Sequence, residues 1–317
     1  MSHSFIVVDN SNMSRTLKTI IYCLAGVLIA LNLLATMSSC APSTASPLRP
    51  QPRLRVATTT SLYDTGLWGY LEPMFEEKYN IELDIMYAGT GKALELGRRG
   101  DVDIVTVHAK AREEQFVADG YGVERVPFAS NYFLIVGPES DPAGIKGLSP
   151  EEAFRRLMDD GRESFISRGD DSGTHSKEKA IWKAVGYDYE TTRNAGAWYV
   201  EAGRGMGPTL MIANEKLAYT LTDMGTYLSY KFRLELELLV DEARLELVPI
   251  VDKGDILLNV YSALAVNPNN VPNTKIEMAN NLIDFLTSPE IQQFIGDYGS
   301  DTYGIQLFIP YVGAEPK

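Results

Sequence analysis

Leu54–Tyr79 reads LRVATTTSLYDTGLWGYLEPMFEEKY. LRVATTT alternates like a strand and ends in hydroxyls. From Gly66 the apolar residues Leu67, Tyr70, Leu71, Met74 and Phe75 fall at helical spacing. Pro73 lies inside that pattern, where it weakens the helix and marks a candidate kink. Strand, polar turn, helix is therefore the first unit, and the sequence repeats it. IELDIMYAG (81–89) is strand-like, GKALELGRRG (91–100) helix-like, VDIVTVHA (102–109) a third strand, and EEQFVADGYG (113–122) a helix closing on glycine. This β-α-β-α-β order predicts an α/β fold with a mainly parallel sheet.

The second half continues the scheme. NYFLIVGP (131–138), SFISRG (164–169), LAYTLTD (217–223), ELVPIVD (246–252) and NVYSALAVNP (259–268) read as strands. SPEEAFRRLMDD (149–160) is a helix, with Ser149 and Glu152 as a capping box and Pro150 in the first turn. HSKEKAIWKAVG (175–186), GPTLMIANEK (207–216) and TDMGTYLSYKF (222–232) are helical, and so is 275–299 with a break near Pro289. Two α/β units imply two lobes and a cleft beyond the carboxyl ends of the strands.

The chain has 317 residues, 45% hydrophobic and 22% charged, enough for a sizeable core. Its net charge of −13 excludes a general electrostatic footprint for nucleic acid. A small anion remains possible, because a local nest of N–H donors does not depend on net charge. Arg15 and Lys18 precede the apolar run Ile20–Met37, the pattern of an export leader. Its length of roughly eighteen residues leaves an uncleaved anchor as the alternative. LATMSSC, ending at Cys40, resembles a lipobox whose cysteine is lipidated, although Met37 stands where leucine is preferred. The stretch 41–53, rich in Pro, Ser and Ala, reads as a tether. Cys23 lies within the apolar run, so the mature domain has no cysteine for disulfide, thiolate metal site or nucleophile.

Three turns share one design: TTTSLYDTG (58–66), AGTGKALE with Thr90 and Gly91, and SRGDDSGTH (167–175). Each puts hydroxyls and free backbone N–H groups where a strand gives way to a helix. Helix N-termini leave N–H groups unpaired and carry partial positive charge. Glycine admits close approach and hydroxyls add donors, so together they suit an anion. Arg168 adds a charged planar fork. Taken singly, Thr90 reads better as a plain N-cap, and Ser61 reads equally well as one. Four consecutive hydroxyls exceed what one cap needs.

Other chemistries fit less well. No Walker loop and no G-x-G-x-x-G follows the first strand. His3, His108 and His175 are scattered, which disfavours zinc. DKGDILLN (252–259) lacks calcium-loop spacing. Ser172, His175 and Asp171 include triad residue types, but they are too close in sequence and G-x-S-x-G is absent. An exported hydrolase using Ser172 or His175 is the reading of a different class. Trp68, Trp182 and Trp198 are expected in packing rather than as a sugar platform.

The stretches 56–79, 89–109, 167–175, WYVEAGRGMGPTLMIANEKLAYTLTDMGTYLSY (198–230) and 259–268 resemble, in order, the Tup-type tungstate-binding proteins of ABC importers. The resemblance implies a type II periplasmic binding protein fold. Two α/β lobes would be joined by hinge strands near Asn131–Val136 and Val260–Val266. The lobes would span 54–133 with 264–317, and 134–263. It implies tungstate as ligand, no cofactor, no catalysis and a monomer that delivers to a permease powered by an ATPase. Thr59, Thr60, Ser61 and Thr90 would face the oxyanion from one lobe, and Arg168, Ser172, Gly173 and Thr174 from the other. Gly91, Gly207 and Thr220 are secondary candidates. SRGDDSGTH is also similar to the phosphate-binder turn, in which an aspartate accepts the proton of hydrogen phosphate. Tungstate is an unprotonated dianion and offers only acceptors, so Asp170 and Asp171 must turn away from it. Molybdate or another tetrahedral oxyanion remains the alternative within this fold.

Overall fold

The computed structural model describes residues 51–237 and 245–311. The apolar run Ile20–Met37, Cys40 and residues 41–50 lie outside them. Among the described residues no helix is long and apolar enough to cross a membrane.

The elements run β1 (Arg53–Thr59), α1 (Thr60–Asp64), α2 (Trp68–Tyr79), β2 (Glu82–Ala88), α3 (Thr90–Arg99), β3 (Ile104–Val107), α4 (Lys110–Ala118) and β4 (Val126–Gly137). Then come α5 (Pro150–Asp160), β5 (Phe165–Ser167), α6 (Gly173–Ala184), α7 (Tyr189–Arg193), β6 (Tyr199–Glu201), α8 (Met206–Lys216), β7 (Tyr219–Asp223) and α9 (Met224–Glu237). β8 (Val248–Val251), β9 (Leu258–Ala265), α10 (Ile276–Thr287), α11 (Pro289–Asp297), α12 (Ser300–Tyr303) and β10 (Ile309–Pro310) complete the order. Pro73 sits inside α2 without ending it. Ser149 and Glu152 make the capping box of α5.

The strand order is β2-β1-β3-β9-β4-β7-β5-β6, with β8 and β10 also on β4. β1 lies parallel to β2 and β3, and β5 parallel to β6 and β7. β4 belongs to both lobes. Its first half, to Tyr132, pairs with β9, and from Phe133 it pairs with β7 and β8. Alternation along β4 then feeds two cores: Phe133 and Ile135 pack with Phe154, Phe165 and Trp182, whereas Leu134 and Val136 pack with Met206 and Leu210. β1 does the same in the first lobe. Leu54 and Val56 face Phe75 and Phe285, while Ala57 faces Leu94 and Phe116. Each lobe is thus a sheet covered on both faces, which is why its inner strands β3 and β5 are buried along their whole length. Trp68, Trp182 and Trp198 are all buried.

One boundary differs from the expectation. Val260–Val266 was expected to hinge the lobes, yet β9 pairs with β3 and β4 within the first-lobe sheet. The return crossing lies between β8 and β9, through a short 3-10 turn at Asp255–Leu257. Residues 252–257 carry no strand periodicity, so nothing in the pattern marks a crossing there.

Candidate functional site

The three polar turns sit at the carboxyl ends of β1, β2 and β5. Parallel pairing sets Thr59 opposite Ala88, so the first two turns are neighbours in one lobe. The third meets them from the other lobe. Arg168 Nη2 lies 3.5 Å from Thr60 Oγ1, and the Gly91 amide donates to the Asp171 carbonyl at 3.4 Å. The lobes are closed on one another.

Arg168 is only 2% exposed. Its Nη2 pairs with Asp170 Oδ2 at 2.5 Å, Nη1 reaches Thr174 Oγ1 at 3.4 Å, and Nε reaches the Arg204 carbonyl at 3.4 Å. The other Asp170 oxygen accepts from the Ser172 amide at 3.2 Å. Asp171 turns outward to Arg112 of α4, which bonds both carboxylate oxygens and the Asp171 carbonyl, each at 2.9 Å. Both aspartates are thereby engaged by arginines, as an unprotonated dianion requires.

The hydroxyls divide their work. Thr58 is structural and accepts from Trp68 Nε1 and Thr106. Thr59 caps α1, accepting from the Leu62 amide at 3.4 Å. Thr60 is the half-buried partner of Arg168. Ser61 Oγ lies 3.0 Å from His108 Nε2. Thr90 is fully buried and its hydroxyl has no partner. A buried donor of that kind calls for an acceptor that a ligand would bring. Ser172 caps α6 through the His175 amide at 3.1 Å and keeps its own proton. Gly173 and Thr174 follow as the first two residues of α6, whose N–H groups lie beyond the intrahelical ladder.

Three secondary candidates have other jobs. Gly91 lies beneath the Arg112–Asp171 pair, where a Cβ would collide with the Asp171 carboxylate. A Cβ on Gly207 would run into the Tyr230 hydroxyl, so this glycine serves the α8–α9 contact. The Thr220 hydroxyl donates to the Ile166 carbonyl at 2.7 Å, inside the sheet. These glycines answer to packing and this threonine to a strand partner, features that sequence cannot distinguish from ligand contacts. The cleft end of β7 is instead Asp223, which caps α9 through Thr226. Burial pushes its carboxyl up to about 6.

The Ser172 hydroxyl meets the His175 backbone, not its ring. The His175 ring takes the Asp171 amide at 3.2 Å. No Ser172–His175 nucleophile–base contact is formed, and among the described residues no group of three or more His, Cys, Asp or Glu is placed to hold a metal ion.

His108, Asn259 and Arg112 are the site residues that sequence reasoning missed. His108 directly follows β3, whose pairing sets Thr106 opposite Thr58. The rule that selected the three turns therefore selects His108 as well. Its Nδ1 lies 2.8 Å from Asn259 Oδ1. Burial pushes the imidazole down to about 3, and Arg168 and Lys177 add to that, so the ring is neutral. A Cβ on Gly173 would stand 2.6 Å from the His108 ring, so only glycine lets α6 come this close.

Two α/β lobes sharing one long strand and closing donor-rich turns against each other define a protein with the periplasmic binding fold. The profile of the PBP superfamily domain matches residues 42–290. The tungstate-binding protein TupA of Peptoclostridium acidaminophilum is 43% identical over 257 residues, 80% of this chain and 84% of that protein. The solved tungstate-binding protein TupA of Desulfovibrio alaskensis G20 is 40% identical with a TM-score of 0.68, covering 83% of this chain and 100% of that one. A solved tungstate ABC transporter structure from Geobacter sulfurreducens is 47% identical with a TM-score of 0.66, covering 78% of this chain and 98% of that one. The chain belongs to the PBP superfamily and, within it, to the Tup-type tungstate-binding protein family.

Proposed function

We propose that this chain is the extracytoplasmic substrate-binding protein of an ABC importer and captures tungstate between its lobes. Thr60, Ser61 and Thr90 act from one side, and Arg168, Ser172, Gly173 and Thr174 from the other. Thr59 supports them as the cap of α1. The observation that carries this reading is the placement of Asp170 and Asp171. Each is held by an arginine, so the turn offers the cleft donors and no free acceptor. Hydrogen phosphate would need such an acceptor. Sulfate shares the charge and shape of tungstate, so cavity size must discriminate against it.

The chain binds and does not catalyse. It is exported, held at the outer face of the cytoplasmic membrane through Cys40, and hands its ligand as a monomer to a permease driven by an ATPase. Tungstate and molybdate are nearly the same size, and the names of the relatives favour tungstate. Calorimetry with tungstate, molybdate, sulfate and phosphate tests the reading. Tungstate is expected to bind tightest. Tight binding of phosphate without tungstate would overturn the proposal.

A further inference from the structure

Ser61, His108, Asn259 and Asn131 form one buried line from the anion site to the strands that carry the lobes. Ser61 Oγ is 3.0 Å from His108 Nε2, His108 Nδ1 is 2.8 Å from the Asn259 amide, and that amide is 2.8 Å from the Asn131 amide. α6 presses on the same ring, because Gly173 leaves no room for a Cβ beside it. A neutral imidazole has one N–H, so the direction of the whole line is a choice between two states.

In one state Nδ1–H donates to the Asn259 oxygen, and Nε2 accepts the Ser61 proton. That is the polarity of a Ser–His–Asn nucleophile. Ser61 would then show only lone pairs to the cleft, which an unprotonated dianion cannot use. The same state leaves Asn131 Nδ2 and the Tyr261 hydroxyl buried without partners. An amide can turn over in place, exchanging oxygen and nitrogen without changing its outline. With both amides turned, Asn131 donates to Asn259, Asn259 donates to His108 Nδ1, and His108 Nε2–H donates to Ser61. The Ser61 proton is then released from the ring, and its one remaining protein acceptor among the described residues is Thr59 Oγ1, a long contact at 3.4 Å that a closer anion oxygen can replace. The orphaned Asn131 N–H group thereby gains an acceptor at 2.8 Å, as buried polar groups require.

We infer that Asn131, Asn259 and His108 are positioning residues that hold His108 as the Nε2–H tautomer and so make Ser61 a proton donor to the bound oxyanion. The identity of the ligand rests on the function proposed above; the direction of the line does not, since Asn131 requires it with or without ligand.

The test uses the full chain labelled with [15N]histidine. Correlation spectra show which ring nitrogen carries the proton, and the His108 signals are those lost in His108→Gln. The proton is expected on Nε2, both empty and with tungstate. A proton on Nδ1 overturns the inference, and ester turnover lost in Ser61→Ala would do so too. In calorimetry His108→Gln, which keeps a donor near Nε2, is expected within about threefold of the parent, whereas His108→Met is expected to bind tungstate about tenfold more weakly or worse. Equal affinity of His108→Met and the parent overturns the inference. If the parent itself fails to bind tungstate, the proposed function falls, and the tautomer still decides the direction of the line.

Discussion

Arg168 and Thr90 make opposite demands on the site. Arg168 is a buried cation neutralised by Asp170, so the protein itself supplies a satisfied charge pair in the cleft. Its remaining donors are long contacts, 3.4–3.5 Å to Thr174, Arg204 and Thr60, which a closer anion oxygen can replace. Arg168→Ala is expected to weaken tungstate binding by at least about 1.5–3 kcal/mol, the range for hydrogen bonds to charged groups. Arg168→Lys keeps the charge but loses the planar fork, and is expected to fall between. Calorimetry on both reads this directly, and an unchanged Arg168→Ala affinity would remove the residue from the site. Thr90 separates binding from folding. Its hydroxyl is buried without a partner, so Thr90→Val relieves an unmet donor in the empty protein. The empty variant is expected to melt no lower than the parent while losing about 1 kcal/mol of tungstate affinity. A lower melting temperature with unchanged affinity would make Thr90 a structural residue.

Among the elements, α6 bears on the site at both ends of its first two turns. Gly173 meets the His108 ring at its start. Gly173→Ala adds a better helix former, worth up to about 1 kcal/mol in a helix interior, yet places a methyl group where the lobes close. Unchanged or higher stability with at least about tenfold weaker binding is the expected result, read by melting and calorimetry together. Parent-like affinity would mean that the His108 ring yields. One turn on, Glu178 accepts from Tyr199 at 2.6 Å, Ser167 at 2.7 Å and Trp182 at 3.2 Å. Burial outweighs these bonds and pushes its carboxyl up to about 7, from an ordinary value of 4.5. The folded state therefore holds a proton that the unfolded state releases. This contribution to stability is full below about pH 4.5 and is lost as pH rises through about 7. Glu178→Gln is expected to shrink the fall in melting temperature between pH 5 and pH 8; an unchanged difference would rule Glu178 out as its source. The elements themselves were largely legible in sequence, because β1 and β5 end at hydroxyls or arginine and β3 is an apolar stretch closed by a histidine. His108 was less so, because a lone histidine after a strand looks like packing until strand order sets Thr106 beside Thr58. Gly207 and Thr220 looked like ligand turns because sequence shows a small or hydroxyl residue, but not the tyrosine or carbonyl it faces.

For the molecule as a whole, closure is held by contacts that the ligand does not make. Arg112 of the first lobe grips Asp171 of the second through three 2.9 Å bonds, and Gly91 leaves the room for it. Nothing in the sequence pairs residues 59 positions apart, so this contact emerges only once the lobes meet. The pair lies at the rim, with side chains 33% and 62% exposed. An exposed pair is worth about 0–1 kcal/mol and is weakened by salt; the bidentate, charge-assisted geometry puts this one at the upper end. It forms only when the lobes come together, so its loss should act on release rather than capture. Arg112→Ala is expected to speed tungstate dissociation about three- to fivefold, the factor that corresponds to 0.6–1 kcal/mol, and to leave association nearly unchanged. Raising salt should quicken release from the parent toward the variant's rate and affect the variant less. Stopped-flow competition at two salt concentrations measures all four rates. Equal dissociation rates with equal salt dependence would show that the ligand alone holds the lobes shut.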